Sequence, residues 1–342
     1  MTVSGPPPSD PALPVVLVSV IIVNYCSGEM VADAVAALEM CDRTEVLVVD
    51  NASTDGSMAI LEGMNSNAHL IYNTQNLGFA KAVNIGARHA SGRFLCLLNP
   101  DTDISGESLL ALTELIDADK NLGVVAPLIC HPSGIRVLEA GWEPDVWRLL
   151  MHVSGLSRFA NISRIFRGFH ARRSQVGNDF LSLDWVSGAL LVTRADTWKA
   201  LGGLDERWFM YTEDIEFCRR VRKLGQKVGI AGWVLAHHSV GSSVNKSAID
   251  AEEALARDQR PTDTLWVTSL YEYYRDELAR SRPAVTIWTL VLLVGLVSRM
   301  LAFRVLAACT ADELAATRYG FLSRKFGWSV RALLRKVGGC WD

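Results

Sequence analysis

The chain has 342 residues, a formal net charge of −3 and a pI near 6.2, with 49% hydrophobic and 21% charged residues. That length can bury a full core, and the near-neutral balance offers no basic field, which argues against nucleic acid as a partner. Seven cysteines, an odd count without a Cys-x-x-Cys pair, exclude a disulfide framework and zinc-ribbon spacing and fit reduced thiols in a cytosolic setting.

In chain order, residues 1–14 are Pro/Ser-rich and read as a disordered lead-in. The apolar run Val15–Val23 is too short to span a bilayer, and the first basic residue is Arg43. It therefore reads as a buried strand rather than a signal-peptide core. Further strands are expected at Glu45–Asp50, His69–Tyr72, Phe94–Leu98 and Val124–Pro127. Helical patterns lie between them near Glu29–Met40, Gly56–Gly63, Gly78–Ala90 and Glu107–Asp117. This alternation predicts an α/β fold, an open, mostly parallel sheet with helices on both faces. Residues 130–182 read as long loops with a helix near Trp147. A second ordered block follows, with a strand at Trp185–Thr193, helices near Arg194–Leu201 and Thr212–Leu224, and a strand at Lys227–Ala236. The domain reading is 1–14 lead-in, 15–245 α/β unit and 246–342 helical region.

The C-terminal region changes character. Pro283 to Ser298 is an uncharged stretch of 16 residues, short of the roughly 20 that a spanning helix needs. Arg299, Arg304, Arg318, Arg324, Lys325, Arg331, Arg335 and Lys336 follow. A helix lying in a membrane interface with snorkelling arginines fits this mixture, and a buried hairpin or a short tilted span are the alternatives.

In open α/β sheets ligands gather at the carboxyl ends of the strands, and four expected strand ends here are polar. Asp101 and Asp103 follow a strand two residues apart, so an extended backbone points both carboxylates to one face. Hard carboxylate oxygens suit Mg²⁺ or Mn²⁺ shared with phosphates; a plain turn is the alternative. Asp50 could accept a pyrimidine imide N–H, while Ser53, Thr54 or Asp55 could simply cap a helix. Glu213 and Asp214 open a helix, where they serve either the helix dipole or as a general base. His237 and His238 end a strand, as a metal ligand or as ordinary histidines. The dinucleotide-binding, P-loop and nucleophile-elbow motifs are all missing.

Taken together, Val18–Tyr25, Val48–Ser57, Asn76–Ala80, Leu98–Asp103, Gly202–Glu206 and Tyr211–Arg220 resemble the inverting family 2 glycosyltransferases of A-type fold. The pattern is most similar to bacterial rhamnosyltransferases. The resemblance implies donor contacts at Asn24, Tyr25, Asp50, Asn76, Gly78, Lys81 and Asp101, with Asp50 reading the nucleotide base. It implies a divalent metal (Mn or Mg) at Asp101, Asp103 and His238, the last within a late His-x-x-Gly-x-Ser that runs to Ser243. It makes Asp214 the catalytic base beside Glu213, and it places acceptor contacts at Trp185, Gly188 and Glu213. Residues 15–128 become the nucleotide-sugar half and 129–245 the acceptor half. The implied partners are a nucleotide-diphosphate sugar, a glycan or polyprenyl-linked acceptor, and a membrane surface, with the protein peripheral on the cytoplasmic face of the inner membrane. Glu216 departs from the pattern, standing where a second Asp is more usual. The competing readings are a sugar nucleotidyltransferase of similar fold and a catalytically silent nucleotide-sugar-binding protein.

Overall fold

The computed structural model describes residues 16–39, 41, 43–64, 66–130, 139–172, 175–238 and 260–339. The lead-in 1–14 and the Gly241–Ser243 end of the late histidine motif lie outside them. The first half alternates as the hydrophobic pattern requires: β1 (Val18–Asn24), α1 (Met30–Glu39), β2 (Thr44–Asp50), α2 (Ser57–Gly63), β3 (His69–Tyr72), α3 (Phe79–His89) and β4 (Phe94–Leu98). There follow β5 (Thr102–Asp103), α4 (Gly106–Ala118), β6 (Leu122–Cys130), β7 (Ala140–Gly141), α5 (Val146–Val153), β8 (Phe180–Leu183), β9 (Trp185–Val186) and β10 (Leu190–Arg194). The remainder is α6 (Ala195–Leu201), α7 (Glu213–Lys223), β11 (Lys227–His238), α8 (Arg260–Tyr273), α9 (Arg282–Cys309) and α10 (Glu313–Gly338).

The main sheet runs β3-β2-β1-β4-β10-β6-β11-β5, with β8 beside β11. Its β3-β2-β1-β4 half is parallel, whereas β10 runs antiparallel to both β4 and β6. Strand alternation divides the core between the two faces. Val20, Ile22, Val46, Val48 and Cys96 pack with α1 and α4 through Val35, Leu38, Leu109 and Leu112. Ile21, Val23, Leu47, Val49 and Leu97 pack on the other face with Val83, Phe217, Val221 and Trp288. The exposed helix starts are capped by short polar side chains: Ser105 Oγ accepts from Ser108 N at 3.2 Å, and Asp145 Oδ1 from Arg148 N at 2.8 Å.

The expected strand Trp185–Thr193 is two strands. It breaks at Ser187–Ala189, where the chain leaves the small β7-β9 sheet and joins the main one. The expected loop region 130–182 holds α5 as anticipated, and also the short strands β7 and β8.

The C-terminal helices pack onto this body. Trp288 is fully buried, donates its indole N–H to Pro144 O at 2.6 Å, and stacks on Tyr274 with centroids 4.6 Å apart. Arg219 on α7 reaches Glu143 at 2.7 Å and Glu277 O at 2.6 Å, joining the same blocks by charge. The 28 residues of α9 make it long and apolar enough to cross a membrane.

Candidate active site

The polar strand ends do converge at one edge. Asn24, fully buried at the end of β1, donates through Nδ2 to Asp50 Oδ1 at 3.0 Å, to Ser53 Oγ at 3.0 Å and to Ser57 Oγ at 2.9 Å. Its carbonyl accepts from Asn51 N. Its side chain is therefore spent on holding the Asp50 turn together. Asp50, 4% exposed, also accepts from Ser53 N at 3.2 Å, and an ionised carboxylate with about four acceptor sites retains capacity beyond these bonds. Tyr25 beside them is 54% exposed.

Asn51, within the Val48–Ser57 motif, fastens the next loop. Its Nδ2 donates to Gly78 O at 3.1 Å, and its Oδ1 accepts from Leu77 N at 3.2 Å and Asn73 Nδ2 at 3.0 Å. Asn76 Oδ1 accepts from Gly78 N at 2.9 Å, and Lys81 is exposed on the first turn of α3. Gly78 has φ +83°, and a Cβ there would stand 2.4 Å from Phe209 O. Only glycine allows the loop at residues 209–212 to close against it, and Phe79 N donates to Phe209 O at 2.7 Å.

That same loop enters α7 through Tyr211 and Thr212 at φ 67° and 78°, a region that a β-branched residue occupies only under strain. Asp214 follows. Its Oδ2 accepts from Gly188 N at 2.9 Å and its Oδ1 from Ile215 N at 2.7 Å. Gly188 lies between Phe79 and Asp214: a Cβ on it would meet Phe79 Cε1 at 3.3 Å and Asp214 Cβ at 3.6 Å. Burial raises the Asp214 pKa above the usual aspartate value; the Gly188 and Ile215 N–H groups pull it down and the nearby Glu139 charge adds to the rise. Glu213 is 5% exposed and its Oε2 lacks a hydrogen-bond partner among the described residues. Burial, then the Asp214 charge, hold its pKa well above the ordinary value.

On the other side, β5 pairs antiparallel with β11, setting Thr102 opposite His238 and Asp103 opposite His237. His238 Nε2 lies 3.0 Å from Asp101 Oδ1 and Nδ1 lies 3.1 Å from Glu139 Oε1. Burial alone would lower the His238 pKa, but the two carboxylates overcome it and raise the value to about 10. Asp103 is exposed, and no group of three or more His, Cys, Asp or Glu side chains is gathered for a metal among the described residues. Glu139 had no signature in the sequence; it stands 99 residues from His238.

Trp185 is among the residues expected as acceptor contacts. It is 4% exposed and its Nε1 donates to Trp142 O at 3.0 Å, so its ring fills a wall beside Phe169 and His170. Glu216 carries no free carboxylate either: it accepts from Arg220 Nε at 2.7 and 2.9 Å, while Arg220 also donates to Leu201 O and Gly203 O. The Gly202–Glu206 turn is tied to α3 by Asn84, which donates to Leu204 O at 2.8 Å and accepts from Leu204 N at 2.9 Å.

Comparison with known proteins matches residues 19–177 to the family described as Glycosyl transferase family 2. The chain is 28% identical over 228 residues to an N-acetylglucosaminyl-diphospho-decaprenol L-rhamnosyltransferase of Mycobacterium tuberculosis, covering 63% of this chain and 71% of that one. It is 26% identical over 227 residues to the low-salt glycan biosynthesis hexosyltransferase Agl10 of Haloferax volcanii, covering 65% and 66%. Among solved structures, the mannosyltransferase PcManGT from Pyrobaculum calidifontis, in complex with GDP-Man and Mn²⁺, shares the fold. Its TM-score is 0.56 at 16% identity, over 94% of this chain and 86% of that chain. With Asn24, Asp50, Asn76 and Asp101 gathered at one sheet edge and all inside the matched segment, residues 19–177 are a family 2 glycosyltransferase domain, and the chain is a glycosyltransferase that shares the A-type fold.

Proposed function

We propose that this protein is a metal-dependent, inverting rhamnosyltransferase. It moves L-rhamnose from dTDP-rhamnose to a glycan on a polyprenyl-diphosphate carrier, in bacterial cell-surface polysaccharide synthesis at the cytoplasmic face of the inner membrane. The observation that carries the reading is Asp214, a carboxylate aimed by the Gly188 N–H at 2.9 Å and raised in pKa by burial. A raised carboxylate is a better proton acceptor, and fixed N–H donors keep it in one orientation. The rhamnose and polyprenyl parts rest on the Mycobacterium relative, whose name contains both.

In this reading Asp50 selects the nucleotide base, with Asn24 keeping it aligned. The Asn76–Gly78 loop and Lys81 face the donor's phosphates and sugar, and Asp214 takes the proton from the acceptor hydroxyl as it attacks the anomeric carbon. Asp101 and His238 would hold the divalent metal, with Asp103 nearby. The two side chains already meet, at 3.0 Å, and a metal held there would require the imidazole to give up the proton that the carboxylates favour. Glu139 orients the imidazole from its far nitrogen. Once bound, the metal supplies Lewis-acid stabilisation of the departing diphosphate.

The test is nucleoside-diphosphate release from dTDP-, UDP- and GDP-sugars with Mn²⁺ or Mg²⁺, a lipid-linked acceptor and a chelator control. Release from dTDP-rhamnose that stops with chelator or Asp103→Asn is expected. Asp214→Asn should cut turnover about 10²-fold or more with donor affinity near normal. Loss of donor binding in that variant removes Asp214 from the base role, and silence across the panel removes the transferase assignment of donor and acceptor.

A further inference from the structure

Gly295 on α9 abuts α5 so closely that a Cβ there would stand 2.6 Å from Val153 Cβ. Arg299 is one helical turn further along the same face, which brings it to His152, the neighbour of Val153. The His152 ring lies 5.2 Å from His170, and His170 lies 4.5 Å from Phe169 and 5.3 Å from Trp185. On the same wall Arg167 sits over Trp142, 4.8 Å from its centroid, and Arg172 Nη1 donates to Ser157 Oγ at 3.4 Å.

Among the described residues this cluster lacks ion-pair partners. Arg148, Arg207, Arg219, Arg220 and Arg222 are all ion-paired. Among the described residues Arg164, Arg167, Arg172 and Arg299 have no carboxylate within the 4.0 Å of an ion pair, and Arg167 Nε is buried without a hydrogen-bond partner. Burial lowers the pKa of Arg167, with Arg164 and Arg148 adding to it; burial also lowers that of Arg299. His152 is pushed down to about 4 by burial and then by Arg299 and Arg172. Arg167 and Arg299 are partly buried, and such cations are costly without an anion beside them.

Position narrows the anion. Trp185 lines this wall, and three residues later Gly188 bonds Asp214; that span of chain reaches at most about 10 Å. Alongside, α9 exposes Ile287, Leu290, Val294, Leu301 and Val305, the last 60% accessible. Their spacings of three, four, seven and four residues make one apolar stripe, with Arg299 on a different face.

We infer that Arg167, Arg172 and Arg299, with His152 and His170, bind the diphosphate of an isoprenoid-diphosphate acceptor, whose hydrocarbon chain leaves along the exposed stripe of α9. This rests on the proposed transferase reading. Planar guanidiniums clamp phosphate oxygens in pairs, and neutral imidazoles add N–H donors. The Trp185–Gly188 segment joins this wall to Asp214, so a cluster that holds the diphosphate selects acceptors that carry one.

The probe is farnesyl diphosphate, bound to the full-length protein and measured at equilibrium without donor. Binding that inorganic pyrophosphate competes away and that Arg172→Gln and Arg299→Gln each weaken tenfold or more is expected, with Arg299→Lys between them and wild type. The exposed Arg172 keeps the test open should Arg299→Gln fold poorly. In turnover, both variants should raise KM for the diphosphate-linked acceptor tenfold with donor KM unchanged. A soluble glycoside of the same sugar, lacking diphosphate, should be used equally by variants and wild type. Farnesyl diphosphate binding that the variants leave intact overturns the site. So does displacement of the probe by phosphatidylglycerol vesicles as readily as by unlabelled farnesyl diphosphate, which identifies a lipid-headgroup surface instead. Binding through these arginines in a protein that transfers no sugar supports the site while removing the transferase reading on which it was built.

Discussion

Glu213 is a buried acid whose Oε2 has no partner among the described residues, beside a second carboxylate at Asp214. Its pKa is raised on folding, so above about pH 4.5, the ordinary glutamate value, the folded state binds more protons than the unfolded one. Stability must then fall as pH rises from 4.5 through the raised value. Glu213→Gln removes that dependence: thermal melts should show the variant gaining Tm relative to wild type at pH 8 and gaining little at pH 5. Equal gains at both pH values would remove the charge explanation. The adjacent Tyr211 and Thr212, at φ 67° and 78°, carry strain of about 1–3 kcal/mol each. The residue pattern marked a helix start here and a choice between dipole stabilisation and base catalysis; the Gly188 contact comes from the break between β9 and β10, 26 residues away in sequence, beyond any local signal.

At the scale of elements, α7 both presents Asp214 and holds the turn before it. Glu216 is 4% exposed and its charge is balanced by Arg220 one turn later. Arg220→Ala strands that carboxylate and frees the Leu201 and Gly203 carbonyls, so it should cost about 3 kcal/mol. Chemical denaturation reads this directly, and adding Glu216→Gln to the same variant should recover a large part. A cost below about 1 kcal/mol for Arg220→Ala would show the pair to be solvent-screened. The long elements α1, α3, α4, β2 and β4 were legible because apolar residues recur with a clear period. Strands of two residues such as β7 and β9 have no period to read. The continuous apolar run after Trp185 hid the break at Ser187–Ala189, since a buried strand and a sheet crossing look alike in composition.

For the whole molecule, one face of the C-terminal helices is packed onto the body while much of α9 stays exposed. Trp288 is fully buried, hydrogen-bonded to Pro144 O and stacked on Tyr274, and Lys336 pairs with Glu272. Trp288→Ala should cost about 3–5 kcal/mol, read as a lowered midpoint in denaturant. Truncation after residue 281 should likewise yield a less soluble protein with a depressed Tm, not a clean catalytic core. A truncated chain that melts like the full one would show the helices to be an appendage.

Residues 15–128 and the family motifs determined the alternating architecture, the polar sheet edge and the chemistry expected there, because hydrophobic period and residue type are local properties of the chain. Only the tertiary structure decided that Asn24 and Asn51 hold other site residues, that Trp185 lines a wall, that Glu139 joins Asp101 at His238, and that α9 brings Arg299 to His152. Each of those pairs residues far apart in sequence, and such pairs are set by which faces pack together, a choice the local pattern leaves open.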